Sequence, residues 1–130
     1  MKKNKEEKPR VLVVDDEWSM RELLRNTLGL SGFEVFLASD DAEFREMAFK
    51  NPPDIIILDL MLGDKDGMAI YHELLAQGLD REIPVVFISA LAEDRPPSPP
   101  RADRKFALIG KPFDPDALVR DIQKMLSSPP

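Results

Sequence analysis

Four uninterrupted apolar runs constrain this chain more than any other feature: Val11-Leu12-Val13-Val14, Ile55-Ile56-Ile57-Leu58, Pro84-Val85-Val86-Phe87-Ile88 and Phe106-Ala107-Leu108-Ile109. A run that alternated apolar and polar would bury one face of a sheet; a continuous one needs cover on both faces, which is the condition of a strand in a parallel sheet. Phe33–Leu37 is a weaker fifth run. Between the runs the apolar residues change to helical spacing. Met20, Leu23, Leu24, Thr27 and Leu28 form one stripe, Phe44, Met47 and Ala48 a second, and Leu118, Ile122, Met125 and Leu126 a third, while Met68–Gln77 reads as a further helix. Asp40 with Glu43 resembles a capping box, and Asp114-Pro115 places a cap before a proline at the first helical position. Strands alternating with helices predict an open parallel sheet with helices on both faces and right-handed connections.

In such a sheet ligands bind beyond the carboxyl ends of the strands, so the residues after each run carry the functional information. They are Asp15-Asp16-Glu17, Asp59, Ser89-Ala90 and Gly110-Lys111-Pro112. Carboxylates, a hydroxyl and an ammonium are thereby brought to one rim. Clustered carboxylates raise one another's pKa unless a cation joins them. The chain has no cysteine and one histidine, His72, so thiolate and multi-imidazole sites are excluded. Hard oxygen ligands select Mg²⁺ or a similar ion such as Mn²⁺, which retains waters and accepts a phosphate oxygen. One carboxylate could then act as a nucleophile toward phosphorus, with Lys111 and Ser89 supplying charge and a hydrogen bond to the transferred oxygens.

These residues resemble the receiver domain of two-component response regulators, the family that includes the chemotaxis response regulator. The similarity runs from about Arg10 to Leu126 through VLVVDDE, IIILDLML followed by Asp66-Gly67, VVFISA and GKPF, with 22 residues from Ser89 to Lys111. It implies a flavodoxin-like (βα)₅ doubly wound fold of strand order 2-1-3-4-5. It implies Asp59 as phospho-acceptor, and Mg²⁺ held by Asp16, Asp59 and the carbonyl of Met61, with Asp15 acting largely through water. Ser89 would turn toward the phosphoryl group, Lys111 would pair with it, and the Lys111–Pro112 bond would be cis. The partners implied are a sensor histidine kinase or phosphotransfer protein and a downstream protein, with a homodimer also open. Residues 1–9 read as a mobile charged N-terminus, 10–127 as the receiver and 128–130 as a tail.

The sequence departs from the family pattern in four places, the mildest being a loop where Gly63 and Asp64 stand in place of the common Pro-Gly. Leu108 stands where an aromatic usually precedes the lysine by three positions, and Arg104-Lys105 replaces a Gly-Ala pair. The run Pro96-Pro97-Ser98-Pro99-Pro100 falls where the fourth helix belongs. Each interior proline costs a helix about 3 kcal/mol, so this helix is expected to be shortened or replaced by a Pro-rich loop.

Two readings of function follow: a phosphorylation-dependent switch that turns over no separate substrate, and a phosphorylation-independent adaptor. The missing aromatic and the expected loss of the fourth helix favour the second; the complete acid–Ser–Lys set favours the first. A flavin carrier would need a glycine- and hydroxyl-rich loop after the first strand, and an aspartate-nucleophile phosphatase would need an acid where Met61 stands. A net charge of −6 argues against nucleic-acid binding, and no apolar run approaches the roughly 20 residues of a membrane span. The expected location is the cytoplasm.

Overall fold

The computed structural model describes residues 7–90 and 106–127. Its five main strands are β1 (Arg10–Val14), β2 (Glu34–Ala38), β3 (Ile55–Asp59), β4 (Val85–Ser89) and β5 (Phe106–Gly110). All pair in parallel, in the order β2-β1-β3-β4-β5, as the resemblance implies. The helices are α1 (Trp18–Leu30), α2 (Asp41–Lys50), α3 (Gly67–Ala76) and α4 (Pro115–Ser127). The expectation for the fourth helix falls on residues 92–105, which lie outside the described residues.

Successive side chains of a strand point to opposite faces, and the central strands divide accordingly. Leu12, Val14, Ile56, Leu58, Val85 and Phe87 pack with Phe44 and Ala48 of α2 and with Ile70, Tyr71 and Leu74 of α3. Val11, Val13, Ile55, Ile57, Val86 and Ile88 pack with Leu24 and Leu28 of α1 and with Leu118 and Ile122 of α4. Every residue of β3 and β4 is buried, which accounts for the continuous apolar runs. Leu23, counted in the stripe of α1, remains 41% exposed; Leu24 takes the inward position instead.

Local signals fix where the helices begin. The Asp40 side chain accepts the Glu43 N–H at 2.8 Å. The Glu43 carboxylate accepts from the Ser39 N–H and hydroxyl, one residue upstream of the partner that a full capping box uses. Asp66 accepts the Met68 N–H at 3.0 Å and so starts α3. Just before it, Met61–Leu62 and Lys65–Asp66 form a two-rung antiparallel hairpin. That hairpin sits directly after Asp59 and holds the end of β3 in place.

Candidate functional site

The first strand end is extended one residue past β1. The Asp15 N–H donates to the Ala38 carbonyl at 3.1 Å, so the Asp15 backbone is held by the sheet although its side chain is not part of the ladder. Its Oδ1 accepts the Glu17 N–H at 2.9 Å, and Arg21 Nη1 donates to its carbonyl at 2.8 Å. Asp59 closes β3, with Oδ1 accepting the Met61 N–H at 2.9 Å. The Lys111 N–H donates to the Ser89 carbonyl at 3.0 Å, which hangs Lys111 off the ends of β4 and β5. The Lys111–Pro112 bond is cis.

These backbone positions aim the side chains at one another. Lys111 Nζ lies 2.7 Å from Asp59 Oδ2, 3.7 Å from Asp15 Oδ2 and 3.9 Å from Glu17 Oε1. Asp15, Asp16 and Asp59 each offer a carboxylate oxygen, and these oxygens lie within 4.8 Å of one another. Asp15, Asp59 and Ser89 are buried, whereas Asp16 is exposed. Of the residues singled out in the sequence, Asp15, Asp16, Asp59 and Lys111 therefore form one cluster. Ser89 occupies the same rim, and Met61 adjoins Asp59 through its N–H. A cavity of about 410 Å³, lined by residues that include Leu12, Phe36, Met47 and Pro53, lies apart from this cluster.

Burial, helped by the neighbouring Asp59 charge, pushes the Asp15 carboxyl up to about 6 against the opposing effects of the Glu17 N–H and Lys111. Burial acts in the opposite direction on Lys111, but its hydrogen bond to Asp59 and the charges of Asp15, Asp59 and Glu17 outweigh it, so the ammonium is held above its usual range. Asp15 Oδ2 is buried with no hydrogen-bond partner. An orphaned carboxylate oxygen facing two more carboxylates is suited to a hard divalent cation, and the residues present fit Mg²⁺.

The raised Asp15 pKa has a consequence for folding without metal. A carboxyl whose folded pKa lies above its unfolded value of 3.8 binds its proton more tightly when folded, so stability falls as pH rises from about 4 to about 6 and is level above that. Asp15→Asn removes the charge and keeps an acceptor for the Glu17 N–H. In EDTA at pH 7 the variant should be more stable than the parent by about 2–3 kcal/mol in urea unfolding. The advantage should vanish near pH 3.5. An equal difference at both pH values would show that ionisation of Asp15 is not its source.

Three contributors gain a role that the sequence alone does not give them: Glu17 and Gly67 figure there only within motifs, and Arg21 not at all. Glu17 faces Lys111 across the site, Arg21 binds a backbone carbonyl, and Gly67 packs against the Asp59 backbone, where an added Cβ would stand 2.3 Å from the Asp59 carbonyl oxygen. The cue for Glu17 was its place beside the two aspartates. Nothing in the sequence pattern marks Arg21.

A family model, the response regulator receiver domain, matches residues 11–123. The chain belongs to this receiver family. It is 31% identical over 123 residues to the transcriptional regulatory protein GltR of Pseudomonas aeruginosa, a match that covers 89% of this chain and 48% of that protein. The chain spans about half the length of the curated relatives it matches. Among solved structures it is similar to the chemotaxis protein CheY4 of Vibrio cholerae, with a TM-score of 0.75, 25% identity, and coverage of 92% of this chain and 99% of that one. The NtrX receiver domain of Brucella abortus gives a TM-score of 0.72 and 29% identity, with coverage of 92% and 99% respectively. The receiver is thus a two-component response regulator module of flavodoxin-like fold. Among the described residues no helix is long and apolar enough to cross a membrane.

Proposed function

We propose that this receiver, over residues 10–127, is a phosphorylation-dependent switch. It takes a phosphoryl group on Asp59 from a sensor histidine kinase or phosphotransfer protein in the cytoplasm and alters a surface read by a downstream protein. The observation that carries the proposal is the Lys111 ammonium 2.7 Å from Asp59 Oδ2, at the edge of a carboxylate group whose oxygens lie within 4.8 Å of one another. A lysine paired with a buried carboxylate offsets its negative charge, and the same lysine can follow that charge onto a phosphoryl group.

In the transfer, an Asp59 oxygen attacks phosphorus and forms an O–P bond. The bond from phosphorus to the donor nitrogen or oxygen breaks, and its electron pair leaves with the donor. Lys111 neutralises charge on the equatorial oxygens, and Ser89 would donate its hydroxyl to one of them. Asp16, Asp59 and the Met61 carbonyl would hold Mg²⁺, with Asp15 reaching it through water. A bound ion would supply charge neutralisation for the approaching phosphoryl oxygens. Asp15 orients the entry into α1 through the Glu17 N–H. Hydrolysis of the aspartyl phosphate resets the module, and no separate substrate is turned over.

The test is intact mass after incubation with Mg²⁺ and either acetyl phosphate or phosphoramidate, beside Asp59→Asn. The expected result is a single Mg²⁺-dependent phosphoryl adduct that the variant lacks. No adduct from a folded protein that binds Mg²⁺ would overturn this reading in favour of the adaptor. An adduct retained in Asp59→Asn would move the acceptor elsewhere.

A further inference from the structure

Lys111 is shared among three carboxylates, and two of them, Asp15 and Asp59, belong to the acid group that suits a cation. The third, Glu17, stands 3.9 Å from Lys111 Nζ and is open to solvent, its side chain 61% exposed. It occupies the N-cap position of α1, where Ser, Thr, Asp or Asn would normally cap the helix, yet its side chain makes no capping hydrogen bond. Its backbone N–H is anchored on Asp15 Oδ1, and its carbonyl accepts the Arg21 N–H at 3.1 Å. The residue is therefore fixed at the backbone while its carboxylate leans across the mouth of the site toward Lys111.

Among the described residues, the local charges then leave one unmatched. Asp15, Asp16 and Asp59 carry three negative charges when ionised, and a divalent cation with Lys111 supplies three positive ones. Arg21, the other cation close by among the described residues, is bound to the Asp15 carbonyl and its charge is shared with Glu22 and Glu43. Glu17 is the surplus anion, at the rim that a donor must cross.

Resting on the phospho-acceptor reading above, we infer that Glu17 is a specificity-determining charge gate: its carboxylate slows phosphoryl donors in proportion to their negative charge. Glu17 Oε1 and Asp59 Oδ2 lie 3.9 and 2.7 Å from the same Lys111 Nζ, so a donor at Asp59 brings its charge near Glu17. At a separation of roughly 6 Å, each unit of donor charge corresponds to about a threefold effect on rate in water at low salt. Acetyl phosphate is a dianion near neutral pH and phosphoramidate is mainly a monoanion. A histidine-borne phosphoryl group delivered inside a protein partner can bring compensating cations with it, so the gate suppresses small anionic donors while sparing a matched partner.

The experiment compares wild type with Glu17→Gln, an isosteric change at an exposed position, using phosphorylation rates for both small donors at saturating Mg²⁺. Glu17→Gln should accelerate acetyl phosphate about tenfold and phosphoramidate about threefold at low ionic strength. Both gains should shrink toward unity near 1 M salt, where the Debye length is about 3 Å. Equal gains for the two donors, no gain, or gains indifferent to salt would overturn the gate while the phospho-acceptor reading stands. A wild type that forms no adduct with either donor would overturn both.

Discussion

Lys111→Met should lower the rate of Asp59 phosphorylation by roughly 100-fold or more with either small donor, the loss typical of removing one donor to developing oxyanion charge. Mg²⁺ should nevertheless bind at least as tightly as before, because the ammonium that competes with it for Asp59 Oδ2 and Asp15 Oδ2 is gone. The same variant should lose stability in a pH-dependent way. Methionine fills the space of the lysine stem, so the loss is mainly one of charge: two buried carboxylates lose their cation, and the Asp15 pKa, which Lys111 holds down, rises. A raised carboxyl pKa contributes a penalty that is absent below about pH 4 and complete above the folded pKa. In EDTA the deficit against wild type should be about 2–4 kcal/mol at pH 7 and should close toward pH 4. Urea midpoints at the two pH values measure it. An unchanged deficit would mean that packing of the lysine stem, and not its charge, holds the rim together.

What the sequence made legible, and what it hid, follow from the same physics. Burial on two faces is written directly into residue type, so Val11–Val14 and Ile55–Leu58 announce central parallel strands and, through them, the rim where Asp15, Asp59 and Lys111 meet. Helical stripes are less decisive at their margins. Leu23 and Leu24 are adjacent and both apolar, and only the direction from which the sheet approaches α1 decides that Leu24 is buried while Leu23 is 41% exposed. The Asp40 cap was visible because it joins residues three apart. The Glu43 contact with Ser39 departs from the expected pattern because the Ser39 hydroxyl offers the carboxylate a second donor. The site contacts that the sequence did not show act across long sequence separations or on backbone atoms. Glu17 is paired with a lysine 94 positions away, and Arg21 reads a carbonyl whose position no side-chain pattern encodes. Leu108, where the family usually has an aromatic, packs partly buried against the core on the α2–α3 side and pairs in register with Phe87, so the strand tolerates the change without a gap in its ladder.

Gly67 supplies the sharpest steric test of how the acceptor is positioned. Its N–H donates to the Leu60 carbonyl at 2.8 Å, which draws the start of α3 against the end of β3. A Cβ at this position would meet the Asp59 carbonyl oxygen at 2.3 Å and the Leu60 Cα at 3.1 Å. Both are backbone atoms, so no side chain can rotate aside; either β3 or α3 must move. Overpacking of this kind costs about 1–3 kcal/mol, and separating the two segments also weakens the Gly67 hydrogen bond by about 0.5–1.5 kcal/mol. Gly67→Ala should therefore destabilise the fold by about 2–4 kcal/mol, or roughly 6–15 °C in Tm for a chain of this size. Displacement of Asp59 relative to Lys111 should slow phosphorylation about 100-fold in the fraction that remains folded. Gly63, in the same hairpin, separates this effect from a general intolerance of the loop. It has φ of +66° and no heavy atom within 4 Å of an added Cβ, so Gly63→Ala meets backbone strain of about 1–2 kcal/mol but no collision. It should lower Tm modestly and leave the phosphorylation rate within about twofold of wild type, since a strained turn that still closes moves no reacting atom. Comparable rate losses in the two variants would place the sensitivity in the hairpin as a whole, and the contact between Gly67 and the Asp59 backbone would lose its claim to position the acceptor.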